Sequence, residues 1–339
     1  MKIIIKMRKI LIFILGIVIV SCSDSIGYKK KINVDCSDCK PHELKIKQYN
    51  KALFSLDTAN FAEELKKLHY EFPELVPSTL EEGQINYMKD FVTDTFCLRI
   101  NKMVEETFPD ISLVEEEVKS VYQHFNYYYP NVPILPTYTY VSGIDMATGP
   151  VLVAPDYVMI SLDYYLSNKD LVYDYVGMPR FMSVRCQPAS LPKDLANALY
   201  DRYFHKNILA KDALSEMVER GKMYYFIEAM VPSVADSVLL GYSSKQMQWA
   251  QDNEGQVWAS VIGNKMLYSN NLDIKRTLFG EAPFTAAFSH DAPARLGDFI
   301  GLQIVRSFMS VNEISLTTLL KMTDEQEIFQ RSEYKPAKR

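Results

Sequence analysis

The sequence predicts an α+β fold: a predominantly helical single domain with a small antiparallel sheet. Apolar residues recur at helical spacing before Pro130 and again after Pro192. Between them, PTYTYVSG (136–143) and VLVAPDYVMISLDYYLS (151–167) are rich in β-branched and aromatic residues, with a Gly/Pro turn separating two strand-like runs. No Pro/Gly/Ser-rich stretch divides the 339 residues after the N-terminal segment, so residues 51–336 read as one domain.

Lys2, Lys6, Arg8 and Lys9 precede the apolar core ILIFILGIVIV. As a helix this core spans roughly 16 Å, against about 30 Å of hydrocarbon, so residues 1–21 read as a signal peptide rather than a membrane span. The core ends in IVSC, which resembles the lipobox of bacterial lipoproteins. That resemblance implies cleavage after Ser21 and acylation (palmitate or a similar chain) of Cys22. Each buried methylene of an acyl chain contributes about 0.8 kcal/mol, so two or three chains hold a protein on a bilayer. Removing residues 1–21 takes away four basic residues and no acid, moving the formal net charge from −5 to −9. So acidic a body is repelled by nucleic acid and anionic lipid, which leaves the acyl chains to attach it to the membrane. Residues 22–50, polar and with Lys29–Lys31 in a row, read as a lipidated, flexible tether.

Helices are predicted over 58–72 and 78–108, with Thr58 and Thr79 as N-caps, and over 112–129, where Ser112 and Glu115 match a capping box. The acids Glu115–Glu117 answer the helix dipole there. The two strands follow, then helices over 194–206, 210–230, 244–267, 294–309 and 315–322. One of these is interrupted: in LSEMVERGKMYYF (214–226) three charges and Gly221 break an apolar pattern. A mid-helix glycine costs about 1 kcal/mol relative to alanine, so it calls for a packing or functional reason. A close helix crossing rimmed by a Glu219–Lys222 pair supplies one. Gly297 and Gly301, four apart, form a small-residue stripe that reads as close helix packing. Arg295 just before them binds a carboxylate or completes an ion pair. Trp258 is expected half-buried in the core, as are most tyrosines of HFNYYYP.

Cys36, Cys39 and His42 in CSDCKPH are metal-ligand types, but zinc needs four ligands and no second Cys/His pair lies at suitable spacing. A local Cys36–Cys39 disulfide or two free thiols is the expectation in an oxidising compartment. Cys97 and Cys186 read as small core residues. No two of the five histidines lie four apart, and neither a nucleophile elbow nor a glycine-rich phosphate loop is present. No cofactor is expected.

The wording GYSSKQMQWAQDNEGQVWASVIGNKMLYSNN, APARLGDFIGLQIVRSFM, IFQRSEYKP and ERGKMYYFIEAMVP, together with the lipobox, resembles the gliding-motility lipoprotein GldB family of Bacteroidota. The resemblance implies an envelope lipoprotein linked to surface gliding and to the type IX secretion apparatus, with envelope proteins of that apparatus as partners. Outer-membrane attachment facing the periplasm is the expected location. A fainter likeness points to gluzincin-type zinc peptidases, which would make the fold a degenerate zincin. There an edge strand (VMISLDYYL here) binds substrate, one helix (PKDLANALYDRYF) carries HExxH, and the next supplies a glutamate, the place of Glu219. The HExxH is missing. Asp201, His205 and Glu219 are the residues that could form a substitute metal site, since zinc catalysis needs about three protein ligands and an open water position. The sequence therefore predicts a non-enzymatic scaffold or binding protein. The alternatives are a divergent metallopeptidase or a peptide- or glycan-binding module on a dead peptidase fold.

Overall fold

A computed structural model describes residues 24–36, 39, 44, 46–167, 169–204, 210–281 and 288–336. Residues 1–21, Cys22, His42 and His205 lie outside the described residues. The chain begins with helix α1 (Asp24–Ile32) and strand β1 (Ile46–Gln48), followed by five helices: α2 (Tyr49–Phe54), α3 (Phe61–Glu71), α4 (Glu82–Thr93), α5 (Thr95–Thr107) and α6 (Ser112–Tyr128). Strands β2 (Thr137–Tyr140), β3 (Val151–Val153) and β4 (Val158–Ser161) come next. Short helices α7 (Val172–Tyr175) and α8 (Arg180–Ser183) lead to α9 (Leu191–Tyr203) and the long α10 (Ala213–Met230). The chain then forms α11 (Asp236–Leu240), α12 (Ser244–Asp252), α13 (Glu254–Gly263), α14 (Leu272–Phe279), α15 (Leu296–Val311), α16 (Leu316–Lys321) and α17 (Glu325–Ser332).

The α+β, predominantly helical architecture matches the sequence reading, but the sheet does not run as expected. Its order is β1-β2-β4-β3; β1–β2 and β2–β4 are parallel, and only β3–β4 is antiparallel. Parallel neighbours need a long crossover. Helices α2 to α6 supply it between β1 and β2, and the excursion through β3 supplies it between β2 and β4. The three residues of β1 sit in the Lys-rich segment, so no alternation announces them. Strand β4 is interior, flanked by β2 and β3, so the expected edge strand is not an edge; that position belongs to β3.

The period of two along β4 divides the apolar residues between two cores. Val158 and Ile160 face the larger cluster, which α10, α15, α9 and α6 build; Met159 faces a smaller one of Tyr49, Leu53, Phe61, Leu65, Leu68, Phe72, Val76, Val92 and Tyr138. After β4 a tight turn carries Asp163, which is fully buried. Its carboxylate accepts from the Ser142 N–H (3.1 Å), the Ile144 N–H (2.7 Å), the Ser142 hydroxyl (3.1 Å) and the Ser161 hydroxyl. These bonds hold the 142–149 loop in a conformation where Ile144, β-branched, sits at φ 61°.

Several local expectations shift. The 78–108 helix divides at Asp94, whose carboxylate caps α5 by accepting from the Phe96 and Cys97 N–H groups. The predicted 244–267 helix divides at Asn253. Asn60 and Glu81, rather than Thr58 and Thr79, precede α3 and α4, and Glu81 forms a capping box with Gln84. At α6 the expected capping box is replaced by Asp110, which accepts from both the N–H and the hydroxyl of Ser112.

The largest departure is at the N-terminus. The expected tether of 22–50 contains a docked helix and a strand. Tyr28 and Ile32, four apart on α1, are buried against α15. Tyr28 lies under the Arg306 guanidinium at 5.0 Å, and the Lys31 ammonium donates to the Asn312 carbonyl at 2.6 Å.

Candidate functional site

Helix α10 is the spine of the molecule. Asp212 caps it, accepting from the Ser215 N–H at 2.8 Å. It is buried over most of its circumference, which is why its apolar pattern looks smeared: neighbours cover it on several sides. Its Glu219-Arg220-Gly221-Lys222 interruption resolves into three separate roles.

Gly221 is the crossing point. A Cβ placed there would lie 2.2 Å from the Gly301 carbonyl oxygen, and one on Gly301 would lie 2.0 Å from the Met217 carbonyl oxygen. Helices α10 and α15 thus touch backbone to backbone: each glycine signal predicted a close crossing, and the structure makes them partners in one. Gly297 serves the same helix one turn earlier, where an added Cβ would lie 2.4 Å from the Phe279 ring.

Lys222 pairs with Glu219 as expected, but not at a rim. Its side chain is buried and its ammonium also donates to the Met322 carbonyl at 2.9 Å. Arg220 reaches the other way, to Glu216 (2.9 Å) and to the buried Asp298 (3.2 Å), with its guanidinium over the Phe279 ring at 4.9 Å.

Around the start of α15 these contacts widen into a network. Tyr224 donates to Asp298 at 2.9 Å; Arg295 donates to the Tyr224 hydroxyl at 3.1 Å and to the Leu240 carbonyl at 2.5 Å, and lies 3.4 Å from Glu281. Arg185 grips Glu281 with two bonds of 3.1 and 2.8 Å. Burial alone would raise the Glu281 pKa, but the hydrogen bonds and charges of Arg185 and Arg295 outweigh it and hold it below the ordinary carboxylate value. Gly241, at φ 65°, is needed because a Cβ there would meet the Arg185 Nε at 2.8 Å. Arg295 therefore completes ion pairs, one of its two expected roles.

At the far end of α15, Arg306 is bracketed by two carboxylates. It donates to both Glu228 oxygens (3.0 and 2.9 Å) and to both Asp236 oxygens (2.9 and 2.6 Å). Sequence reasoning missed this cluster. A lone arginine in LQIVRSFM and a lone glutamate in YYFIEAMV were its signal, since a charge inside an apolar helical face has to meet its opposite.

The residues of the substitute metal site are only partly described. Asp201 accepts from the Asn197 amide at 3.2 Å, and Glu219 is paired with Lys222. Both carboxylates lie within electrostatic range of Tyr200, whose hydroxyl pKa is raised first by burial and then by these two charges. His205 lies outside the described residues. Among the described residues no group of three or more His, Cys, Asp or Glu side chains is arranged to hold a metal ion. A cleft of about 280 Å³ lies elsewhere, between the starts of α10 and α17. Its Asp212 and Asp324 are already engaged as helix caps.

Cys36 and Cys39 are free thiols here, on a turn that the Cys39 N–H closes onto the Cys36 carbonyl at 3.1 Å; burial first, and then hydrogen bonding with Cys39, push the Cys36 thiol up to about 12. Cys97 and Cys186 are buried core thiols, their pKa values pushed up by burial to about 12, which keeps them protonated. Trp258 is half-buried against Phe329 and Tyr334, the core role expected of it. No described helix is long and apolar enough to cross a membrane.

The model of one protein family, described as gliding motility protein GldB, matches residues 29–336. The chain belongs to that family. A search of curated proteins and a search of solved structures each return no match. The likeness to gluzincin peptidases therefore stays without support from any comparison.

Proposed function

Starting from membership of the GldB gliding-motility family, we propose that this protein is a lipid-anchored scaffold of the cell envelope that works by binding other proteins. In this reading Cys22 carries the acyl chains, the body sits on the outer membrane facing the periplasm, and its partners belong to the gliding and type IX secretion apparatus. The observation that carries the non-enzymatic part is the state of α10 around Glu219. The carboxylate that would be a metal ligand is neutralised by a buried lysine, and two residues on, at Gly221, the helix is pressed against α15. A catalytic zinc needs about three ligands and an open position, and a ligand already paired with a cation is a poor one. The large buried ion-pair networks act in the same direction, since they fix the relative positions of helices rather than present reactive groups to solvent.

The test is in-cell crosslinking of the full-length protein, with the captured envelope proteins identified against a Cys22→Ser control. A motility or secretion component that is captured by the wild type and lost or reduced in the control supports the reading. Capture of none of these components contradicts it. The anchor is checked separately: the Cys22→Ser protein should leave the membrane fraction, and its firm retention there would refute acylation of Cys22.

A further inference from the structure

We infer that the folded body is seated directly on the bilayer, with the C-terminal end of α15 toward the lipid headgroups. This rests on the proposed acylation of Cys22 and adds how the attached domain is held. A free tether of 28 residues would have a root-mean-square span of about 30 Å and would leave the body to tumble. The chain does not provide that slack. Helix α1 begins at Asp24, two residues after Cys22, and consecutive Cα atoms are about 3.8 Å apart, so the acyl-bearing residue lies within about 8 Å of the helix start. Three residues further, at about 1.5 Å rise each, Gly27 lies on Ser310, where an added Cβ would be 3.5 Å from the serine Cβ.

The helix is firmly docked after that point. Tyr28 is buried between the Arg306 guanidinium (5.0 Å) and the Tyr225 ring (6.3 Å). Ile32 is buried, and the Lys31 carbonyl accepts from the Tyr128 hydroxyl at 3.2 Å. Arg306 is itself fixed by Glu228 and Asp236. The lipid is thus joined, through two residues and a docked helix, to the end of the spine pair α10 and α15. Ser310 is 14 residues from Leu296, so the Arg295–Glu281 network sits about 21 Å further from the anchor along α15. At the anchored end, Lys29 and Lys30 are exposed, although the body as a whole is acidic. Exposed Val311 lies at the same end. Exposed Glu313, 3.5 Å from the Lys31 ammonium, lies there too, and Lys29 is in the field of Glu228 and Asp236. Three lysines still outnumber the one exposed acid beside them, and with Val311 they suit contact with anionic headgroups.

The experiment uses the mature, acylated protein in phosphatidylethanolamine/phosphatidylglycerol vesicles containing a nickel-chelating lipid. Spin labels are placed one at a time at Val311→Cys and Val184→Cys, in a Cys39→Ser background so that the remaining described cysteines are buried. Val184 adjoins Arg185 and so reports the far end. The expected result is strong nickel broadening at 311 and little at 184. Inserting a 20-residue Gly/Ser linker between Ser23 and Asp24 should then reduce the broadening at 311 severalfold while the protein stays vesicle-bound. Equal broadening at both positions, or no change on linker insertion, overturns the seated arrangement while leaving acylation intact. Failure of the unmodified protein to stay on the vesicles overturns the anchor itself, and the seating with it.

Discussion

Replacing Gly221 by alanine puts a methyl group into the backbone-to-backbone crossing of α10 and α15. The added carbon would stand 2.2 Å from the Gly301 carbonyl oxygen, 2.5 Å from the carbon of that carbonyl and 2.9 Å from a Val305 methyl. Ordinary van der Waals contact begins about 1 Å further out for the two carbonyl atoms, and these are backbone, which no rotamer change moves aside. Overpacking costs about 1–3 kcal/mol and sometimes more. A backbone clash in a fully buried helix pair belongs at the upper end, about 3 kcal/mol or above. Alanine returns about 1 kcal/mol through helix propensity, so the net loss is about 2 kcal/mol or more. For a domain of this size, with an unfolding entropy of about 2.1 cal/mol/K per residue, that corresponds to a fall in Tm of roughly 3 °C or more. Gly301→Ala should behave alike, since its Cβ meets the Met217 carbonyl oxygen at 2.0 Å. The two losses should not add, because once either methyl has pushed the helices apart the other has room. Gly83→Ala in α4 is the control: nothing lies within 4 Å of its Cβ, and alanine should be neutral or stabilise by up to about 1 kcal/mol. Thermal unfolding by circular dichroism or calorimetry reads the wild type, the three single variants and the Gly221→Ala/Gly301→Ala double variant. If Gly221→Ala matched or exceeded wild-type stability, the helices would not cross in the way described.

Removing Arg306 as Arg306→Met leaves Glu228 and Asp236 facing each other without the guanidinium between them, an arrangement that costs about 3–5 kcal/mol, measurable by denaturant unfolding. The same cluster makes stability depend on pH. Burial would raise the Asp236 pKa, but the hydrogen bonds and charge of Arg306 win and hold it below 3.8. A depressed folded pKa contributes stability that is present above the unfolded value and lost as pH falls through the folded one. The Tm gap between wild type and Asp236→Asn should therefore be steady from neutral pH to about 5 and close below about 4. Cys36 and Cys39, already in contact across their turn, should be found joined as a disulfide in protein isolated from the envelope. Intact-mass analysis before and after reduction would read the two hydrogens lost; free, alkylatable thiols at both positions would contradict the pairing.

Much of the helical body was legible because its signals are local. Gly221 breaks a helical pattern and Gly301 repeats at helix spacing, and each needs only the rule that glycine inside a helix requires a reason. What stayed hidden depends on distant partners. Strand β1 has three residues and no alternation of its own; its identity comes from pairing with β2, 91 positions along at Ile46–Thr137. The parallel sense of the sheet follows from which strand inserts beside β2, which turn chemistry near residue 150 does not reveal. Helix α1 looked like tether because Lys29–Lys31 dominate its composition, while the docking rests on two side chains, Tyr28 and Ile32. The Arg306 cluster joins residues 70 and 78 positions apart, so each charge reads as an isolated oddity until the fold brings the three together. The pairing of Glu219 with Lys222 was visible at i,i+3 spacing. The burial of that lysine was not, since it depends on Met322 arriving from the C-terminal segment.

The most direct test of a protein that binds rather than catalyses is metal content measured together with peptide cleavage. Protein purified from the envelope without chelator should carry substoichiometric zinc by mass spectrometry and leave a mixed peptide library uncut. One divalent ion per chain, together with cleavage that a chelator stops and Glu219→Gln abolishes, would contradict the account.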